Sequence, residues 1–291
     1  MKYIEIGNSV EQAIDWLAEN AEPFFNAITI GVESMVQAFQ NLLLMPHPFI
    51  VIVIISFLAY YAAAGKKALF KKAGWKAGRF LLLFTLAGLA LLFLMDFWEE
   101  TMKTLALVVT SAILALIIGI PLGIQTARSE TMERIVRPIL DFMQTMPAFV
   151  YLIPAILFFS VGNVPGVVAT VVFALPPAVR LTNLGIRTVQ QDVVEAAKAF
   201  GASERQLLYK VQIPLALPSI LAGVNQVIML SLSMVVIASM VGAAGLGQAV
   251  YKSILQADIG LGVESGLGIV IIAIVLDRIT QAIGEHSSSR N

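Results

Sequence analysis

Two long stretches of this chain, Phe142–Val179 and Val211–Tyr251, contain no Asp, Glu, Lys or Arg. Phe49–Gly65, Phe80–Met95 and Leu105–Thr126 are uncharged as well. A bilayer core takes about 20 apolar residues per helix, so runs of this length belong in a membrane. Composition agrees. Of 291 residues, 58% are hydrophobic and only 13% are charged, about half the charged share of a soluble domain. Those values exclude a soluble fold and a disordered chain. Lys+Arg and Asp+Glu both number 19, without the basic excess of a nucleic-acid binder. The absence of Cys removes disulfide frames, thiolate nucleophiles and Fe–S clusters. What remains is an all-α polytopic membrane protein.

Phe142–Val179 is too long for one ordinary span. Gly162-Asn163-Val164-Pro165-Gly166 is a turn signal in its middle, so two helices are expected, over about 142–161 and 165–180. Val211–Tyr251 reads as a helix over about 216–241 followed by a Gly-rich loop. A last span runs over about 265–283, with Asp277 and Arg278 inside it. The count is about seven spans. Lys and Arg in short loops set orientation. Lys66, Lys67, Lys71, Lys72, Lys76 and Arg79 follow the first span. Arg128, Arg134 and Arg137 follow the third, and Arg180, Arg187, Lys198, Arg205 and Lys210 the fifth. With Arg278 and Arg290 these fall on one side, leaving Lys2, Lys103 and Lys252 on the other. The basic side is expected to be cytoplasmic, with the N-terminus out and the C-terminus in.

Residues 1–45 differ. Ile14, Leu17, Ala21, Phe25, Ile28, Val32, Val36 and Phe39 recur at helical spacing, opposed by Glu11, Asp15, Glu19 and Glu22. This pattern predicts an amphipathic helical pair at the outer interface, broken near Pro23. It lacks the basic start and apolar centre of a secretory signal.

The loop after the fifth span is the most ordered by its sequence. Asp192 precedes Glu195 by three residues, and Ser203 precedes Gln206 by three. Both pairs have capping-box spacing. Gly201 suits the position just past a helix end, and Pro214 is expected to open the next element. The expectation is two short helices around a Gly bend. The first offers the small residues Ala196, Ala197 and Ala199, which allow close approach by a partner.

Glu195-Ala196-Ala197, then Gly201, then Val211-Gln212-Ile213-Pro214 resembles the EAA pattern of ABC-importer permeases, E-A-A-x3-G-x9-I-x-L-P. Val211 and Ile213 are conservative departures. Asp141-Phe142-Met143-Gln144-Thr145-Met146-Pro147 through Pro154, Ser231 through Gly242, and Gly245-Leu246-Gly247 resemble the glycine betaine/proline betaine permeases of the OpuA/ProU type. The resemblance implies a type I importer core over 100–285 with a coupling loop over 191–214. Before the core it implies two accessory transmembrane helices over 46–99, and after it a tail over 286–291. It implies a membrane subunit of an ATP-driven, osmoprotective importer in the bacterial cytoplasmic membrane. Implied partners are a second copy of the chain, a cytoplasmic ATPase dimer holding ATP and Mg, an extracytoplasmic substrate-binding protein and membrane lipid. Asp192, Glu195, Ala196, Ala197, Gly201, Ser203 and Pro214 are the implied residues of the ATPase-coupling loop.

The chain has no G-x4-G-K-[ST] phosphate loop of its own. It shows no acidic residue central to the first six spans, which disfavours a proton- or sodium-coupled carrier. Gln144, Pro147, Tyr151, Asn225, Gln226 and Ser233 either line a translocation pathway or gate, or bond between helices. Pro147, Pro154 and the Pro176-Pro177 pair are expected to bend or break their helices. Gly119 and Gly123 flank Pro121, so that segment is either a close helix crossing or a kink. The basic loop Lys66, Lys67, Lys71, Lys72, Lys76 and Arg79 sets topology or responds to anionic lipid. His47 and His286 lack metal-ligand spacing, and no metal site or paired-carboxylate catalytic site is read. Two other readings stay open: a permease for another small polar solute, and a stand-alone channel or carrier.

Overall fold

The computed structural model describes residues 6–64 and 72–288. All regular structure among the described residues is helical. In chain order the helices are α1 (Ile6–Asn20), α2 (Glu22–Leu44), α3 (Pro48–Ala64), α4 (Lys72–Leu94) and α5 (Trp98–Arg128). Then come α6 (Glu130–Thr145), α7 (Ala148–Phe159), α8 (Asn163–Arg187), α9 (Gln191–Ala199) and α10 (Glu204–Leu207). A π-turn at Leu208–Gln212 leads into α11 (Ile213–Ser239), followed by α12 (Leu246–Gln256) and α13 (Ile259–Ser288). Lys66, Lys67 and Lys71 lie outside the described residues, as do the side chains of Lys72 and Lys76.

Four unbroken helices are long and apolar enough to cross a membrane: Trp98–Arg128, Asn163–Arg187, Glu204–Ser239 and Ile259–Ala282. Two bent helix pairs are also apolar enough when taken together, each either a broken span or a re-entrant loop. α2 with α3 turns through 102°, and α6 with α7 through 100°. Where about seven spans are expected, four helices pass by length and composition, up to six if each bent pair is one span, and Gly78–Leu94 is apolar but shorter.

Several local expectations are corrected. The helix expected over 142–161 is instead two, divided at Met146–Pro147, where both residues are extended (ψ 137). Proline disfavours helical geometry in the residue before it, which explains the break. Pro176-Pro177 does not end its helix, because α8 continues to Arg187 with both prolines buried. Packing on neighbouring helices holds the backbone where two amide hydrogens are missing. The loop after α11 leads into α12, which hydropathy alone did not reveal, and the last helix starts earlier than expected.

α8 is the centre of the bundle, packed along both α5 and α11. Small residues permit this. A Cβ at Gly119 would stand 2.5 Å from the Ala178 Cβ. One at Gly123 would stand 2.6 Å from the Thr182 Cβ and 2.7 Å from the Val179 carbonyl oxygen. The Gly119–Gly123 segment is therefore a close crossing, and α5 runs through Pro121. Gly185 meets α11 in the same way at Ser219 and Ala216.

α2 is more than an interfacial strap. Val32 and Val36 are buried against Leu107 of α5 and Val164 and Val167 of α8. Phe25 stacks on Phe158 of α7, with ring centroids 4.3 Å apart. α3 and α4 pack together and against α13. Their apolar core joins Ile52, Leu89, Leu92 and Trp98 to Ile271 and Ile272.

Candidate functional site

The end of the bundle that follows α8 carries α9, which has no buried residue. Asp192, Glu195, Ala196 and Gly201 are exposed, and Ala197 is half-buried. At the tip Phe200 is 93% exposed. A phenylalanine this exposed beside a rigid bend is unusual outside a contact surface.

The bend is built from local chemistry. Gly201 sits at φ +79, in the left-handed region. Its amide donates to the Lys198 carbonyl at 2.9 Å, and the Ala202 amide to the Ala197 carbonyl at 3.1 Å. These two bonds form a Schellman motif, and glycine is the residue that enters it without Cβ strain. Ser203 then starts α10 with a full capping box. Its Oγ accepts from the Gln206 amide at 3.3 Å, and Gln206 Oε1 accepts from the Ser203 amide at 2.9 Å. A Lys198–Glu204 ion pair at 3.7 Å ties α9 to α10. The other expected box does not form. Gln190 is the N-cap of α9 without a side-chain bond, which leaves Asp192 in the first turn. A carboxylate there still favours the helix through its dipole.

Pro214 does not open a separate element. Backbone helix continues from Glu204 to Ser239. The π-turn at Leu208–Gln212 carries one extra residue into the ladder just ahead of Pro214. Proline cannot donate to the previous turn, and a widened turn absorbs that missing bond. The second short helix of the expected pair is therefore the first turn of a long one. Leu208 is buried with Ile186, Ala216 and Ile220. Leu208 thereby joins the π-turn to α11 and to the end of α8.

The residues considered for the pathway fall into two groups. Gln144, Pro147, Gln226 and Ser233 are exposed on this single chain. Ser233 Oγ donates to the Met229 carbonyl at 3.0 Å. Tyr151 is buried, and its hydroxyl donates to the Met143 carbonyl across the Pro147 break. Asn225 is half-buried and bonds between helices. Its Nδ2 donates to Asp277 of α13 at 3.3 Å, and its Oδ1 accepts from the Thr280 hydroxyl. Asp277 also accepts from Gln281 Nε2 at 2.7 Å. Asp277 is therefore part of an α11–α13 network, and only Arg278 of that pair is exposed. Replacing Asn225 by Ala is expected to cost about 1–3 kcal/mol by leaving Asp277 short of a donor. Thermal unfolding of the purified protein measures this. Lost transport with unchanged stability would instead place Asn225 on the pathway.

Hydropathy and capping patterns did not disclose the pinned loop at the opposite end of α11. Gly242 and Gly245 have φ +88 and +118. Thr104 Oγ1 accepts from the Leu246 amide at 2.8 Å, and Asn163 Oδ1 from the Ala244 amide at 2.9 Å. These side chains hold the loop against α5 and α8. Its paired glycines were the available signal.

Residues 115–290 match the family described as "Binding-protein-dependent transport system inner membrane component". The chain is 47% identical over 289 residues to the glycine betaine/proline betaine transport system permease protein ProW of Escherichia coli (strain K12), covering 99% of this chain and 77% of that protein. It is 48% identical over 286 residues to the glycine betaine/carnitine transport permease protein GbuB of Listeria monocytogenes, covering 98% of each. The glycine betaine transport system permease protein OpuAB of Bacillus subtilis is 48% identical over 287 residues, 99% of this chain and 97% of that one. Among solved structures, an inward-facing MetNI methionine ABC transporter superposes with a TM-score of 0.61 at 22% identity, over 67% of this chain and 97% of that chain. That likeness concerns the fold.

Proposed function

Because the chain belongs to the binding-protein-dependent transport system inner membrane components, we propose that it is the membrane permease subunit of an ATP-driven importer of glycine betaine or related compatible solutes. The observation that carries this reading is similarity along nearly the whole chain to permeases named for glycine betaine. The exposed, capped α9–α10 corner supports a docking role, with Asp192, Glu195, Ala196, Ala197, Gly201 and Ser203 facing a cytoplasmic ATPase. That ATPase holds ATP and Mg and performs the hydrolysis. Pro214 and the π-turn link the corner to α11. A second copy of the chain and an extracytoplasmic binding protein complete the importer. The basic side faces the cytoplasm, with the N-terminus outside and the C-terminus inside. The basic loop Lys66, Lys67, Lys71, Lys72, Lys76 and Arg79 is read as responsive to anionic lipid, from which each basic residue near the surface gains about 1 kcal/mol.

The test is uptake of labelled glycine betaine into proteoliposomes containing the permease, its ATPase and its binding protein. Uptake is expected only with ATP inside and binding protein outside. Uptake without ATP would establish a channel or carrier instead. A second substrate reading has specific support. The chain is 44% identical over 185 residues to the trimethylamine N-oxide transport system permease protein TmoV of Ruegeria pomeroyi. Competition by trimethylamine N-oxide stronger than by glycine betaine would favour that solute.

A further inference from the structure

A cleft of about 350 Å³ opens between α6 and α8, near the end of α8 that leads to α9. Its charges follow a pattern. Glu133, Arg137 and Asp141 lie four residues apart along α6, so they share one face and alternate in sign. α8 supplies partners for the outer two. Arg187 pairs with Glu133 at 2.6 Å, and Arg180 pairs with Asp141. Arg187 also donates to the Thr126 carbonyl at 3.1 Å. These two ion pairs form the upper and lower rungs of a ladder between antiparallel helices.

The middle rung differs. Arg137 lines the cleft, but α8 offers Asn183 and Leu184 at that level. No carboxylate pairs with Arg137 among the described residues. The Asn183 amide nitrogen is committed to Thr126 Oγ1 at 3.0 Å. Three guanidinium groups face two carboxylates, leaving one positive charge in excess. The remaining walls, Val136, Leu140 and Val179, are apolar.

We infer that this cleft binds a small carboxylate, seated on Arg137 between the two ion-pair rungs. A guanidinium presents parallel N–H donors that match a carboxylate, and the cleft has the size of a small-molecule site. The carboxylates of the two rungs are already paired with Arg180 and Arg187, so beyond the seat a ligand meets mainly the apolar walls. A fully methylated ammonium has no N–H to satisfy, so apolar walls suit it. Identifying the occupant with the transported zwitterion rests on the function proposed above. In that orientation the cleft opens to the cytoplasm and would hold the solute on its exit side.

The test uses the purified full chain in nanodiscs of zwitterionic lipid, read by saturation-transfer NMR. Acetate probes the carboxylate seat alone, trimethylglycine probes the zwitterion, and choline probes the ammonium without a carboxylate. Acetate and trimethylglycine signals are expected, with none from choline. Arg137→Gln should reduce both signals at least fivefold, and Arg137→Lys should retain part of them. Arg134→Gln, one turn away in an exposed pair with Glu130, should leave both unchanged. An acetate signal unaltered in Arg137→Gln, or no acetate signal in the wild type, overturns the seat. So does loss of the acetate signal in nanodiscs with anionic lipid, since a lipid phosphate would then be the occupant. An Arg137-dependent acetate signal without any trimethylglycine signal upholds the seat and overturns the assignment of the solute.

Discussion

Gly201→Ile is expected to abolish most ATP-dependent uptake while the protein still inserts and purifies normally. A Cβ at Gly201 would meet nothing within 4 Å, so the first atom of the new side chain enters open space. The penalty is in the backbone. An L-residue in the left-handed region costs about 1–2 kcal/mol, and β-branching adds to it. That strain falls on the Schellman bonds at Gly201 and Ala202. A shift of this size changes the population of the native bend by a factor of about 5–30. α9 would then leave its fixed angle to α10 and present Phe200 differently. Uptake and ATPase co-purification measure the effect. Asn tolerates this conformation better, so Gly201→Asn should lie between the two. Full uptake in Gly201→Ile would sink the coupling role.

Gly123→Ala is expected to act on stability instead. Its Cβ would stand 2.7 Å from the Val179 carbonyl oxygen, a backbone atom that cannot rotate away. Relief requires α5 and α8 to separate along their crossing, which also loosens Gly119 against Ala178. Overpacking of this kind costs about 1–3 kcal/mol. Gly31→Ala provides the opposite sign. Gly31 lies within α2 with nothing within 4 Å, so Ala there removes a helix penalty of about 0.5–1 kcal/mol. Thermal unfolding in detergent should rank Gly31→Ala at or above wild type and Gly123→Ala well below. Equal midpoints for wild type and Gly123→Ala would show that the crossing is looser than described.

The legible features share a local cause. Gly201 and the Ser203–Gln206 box depend on bonds within a few residues, so spacing alone revealed them. The Asp192–Glu195 pair has the same spacing, but there the helix starts one residue earlier, at Gln191, with Gln190 as its N-cap. Proline shows the same division. Pro147 breaks its span, whereas Pro176-Pro177 and Pro121 sit inside helices that continue through them. Asp277 and Arg278 are adjacent charges inside the last expected span. Asp277 instead meets Asn225, 52 residues away in sequence, and no periodicity reports such a contact. The Glu133–Arg137–Asp141 alternation becomes one face only once α6 is helical over those residues. Only α8, at Arg180 and Arg187, shows which of those charges is left over.

Sequence by itself determined that this chain lives in a membrane, because uncharged runs cannot be solvated by water at acceptable cost. It determined the all-helical class, the exposed capped corner and the one glycine that corner requires. Tertiary structure decided which apolar runs cross unbroken, because helix bending depends on what packs beside a proline. It decided the α5–α8 crossing, where the absence of a Cβ matters only once a backbone oxygen lies opposite. It also decided that Arg137 faces no carboxylate, since a charge becomes a binding group only when its neighbours fail to neutralise it.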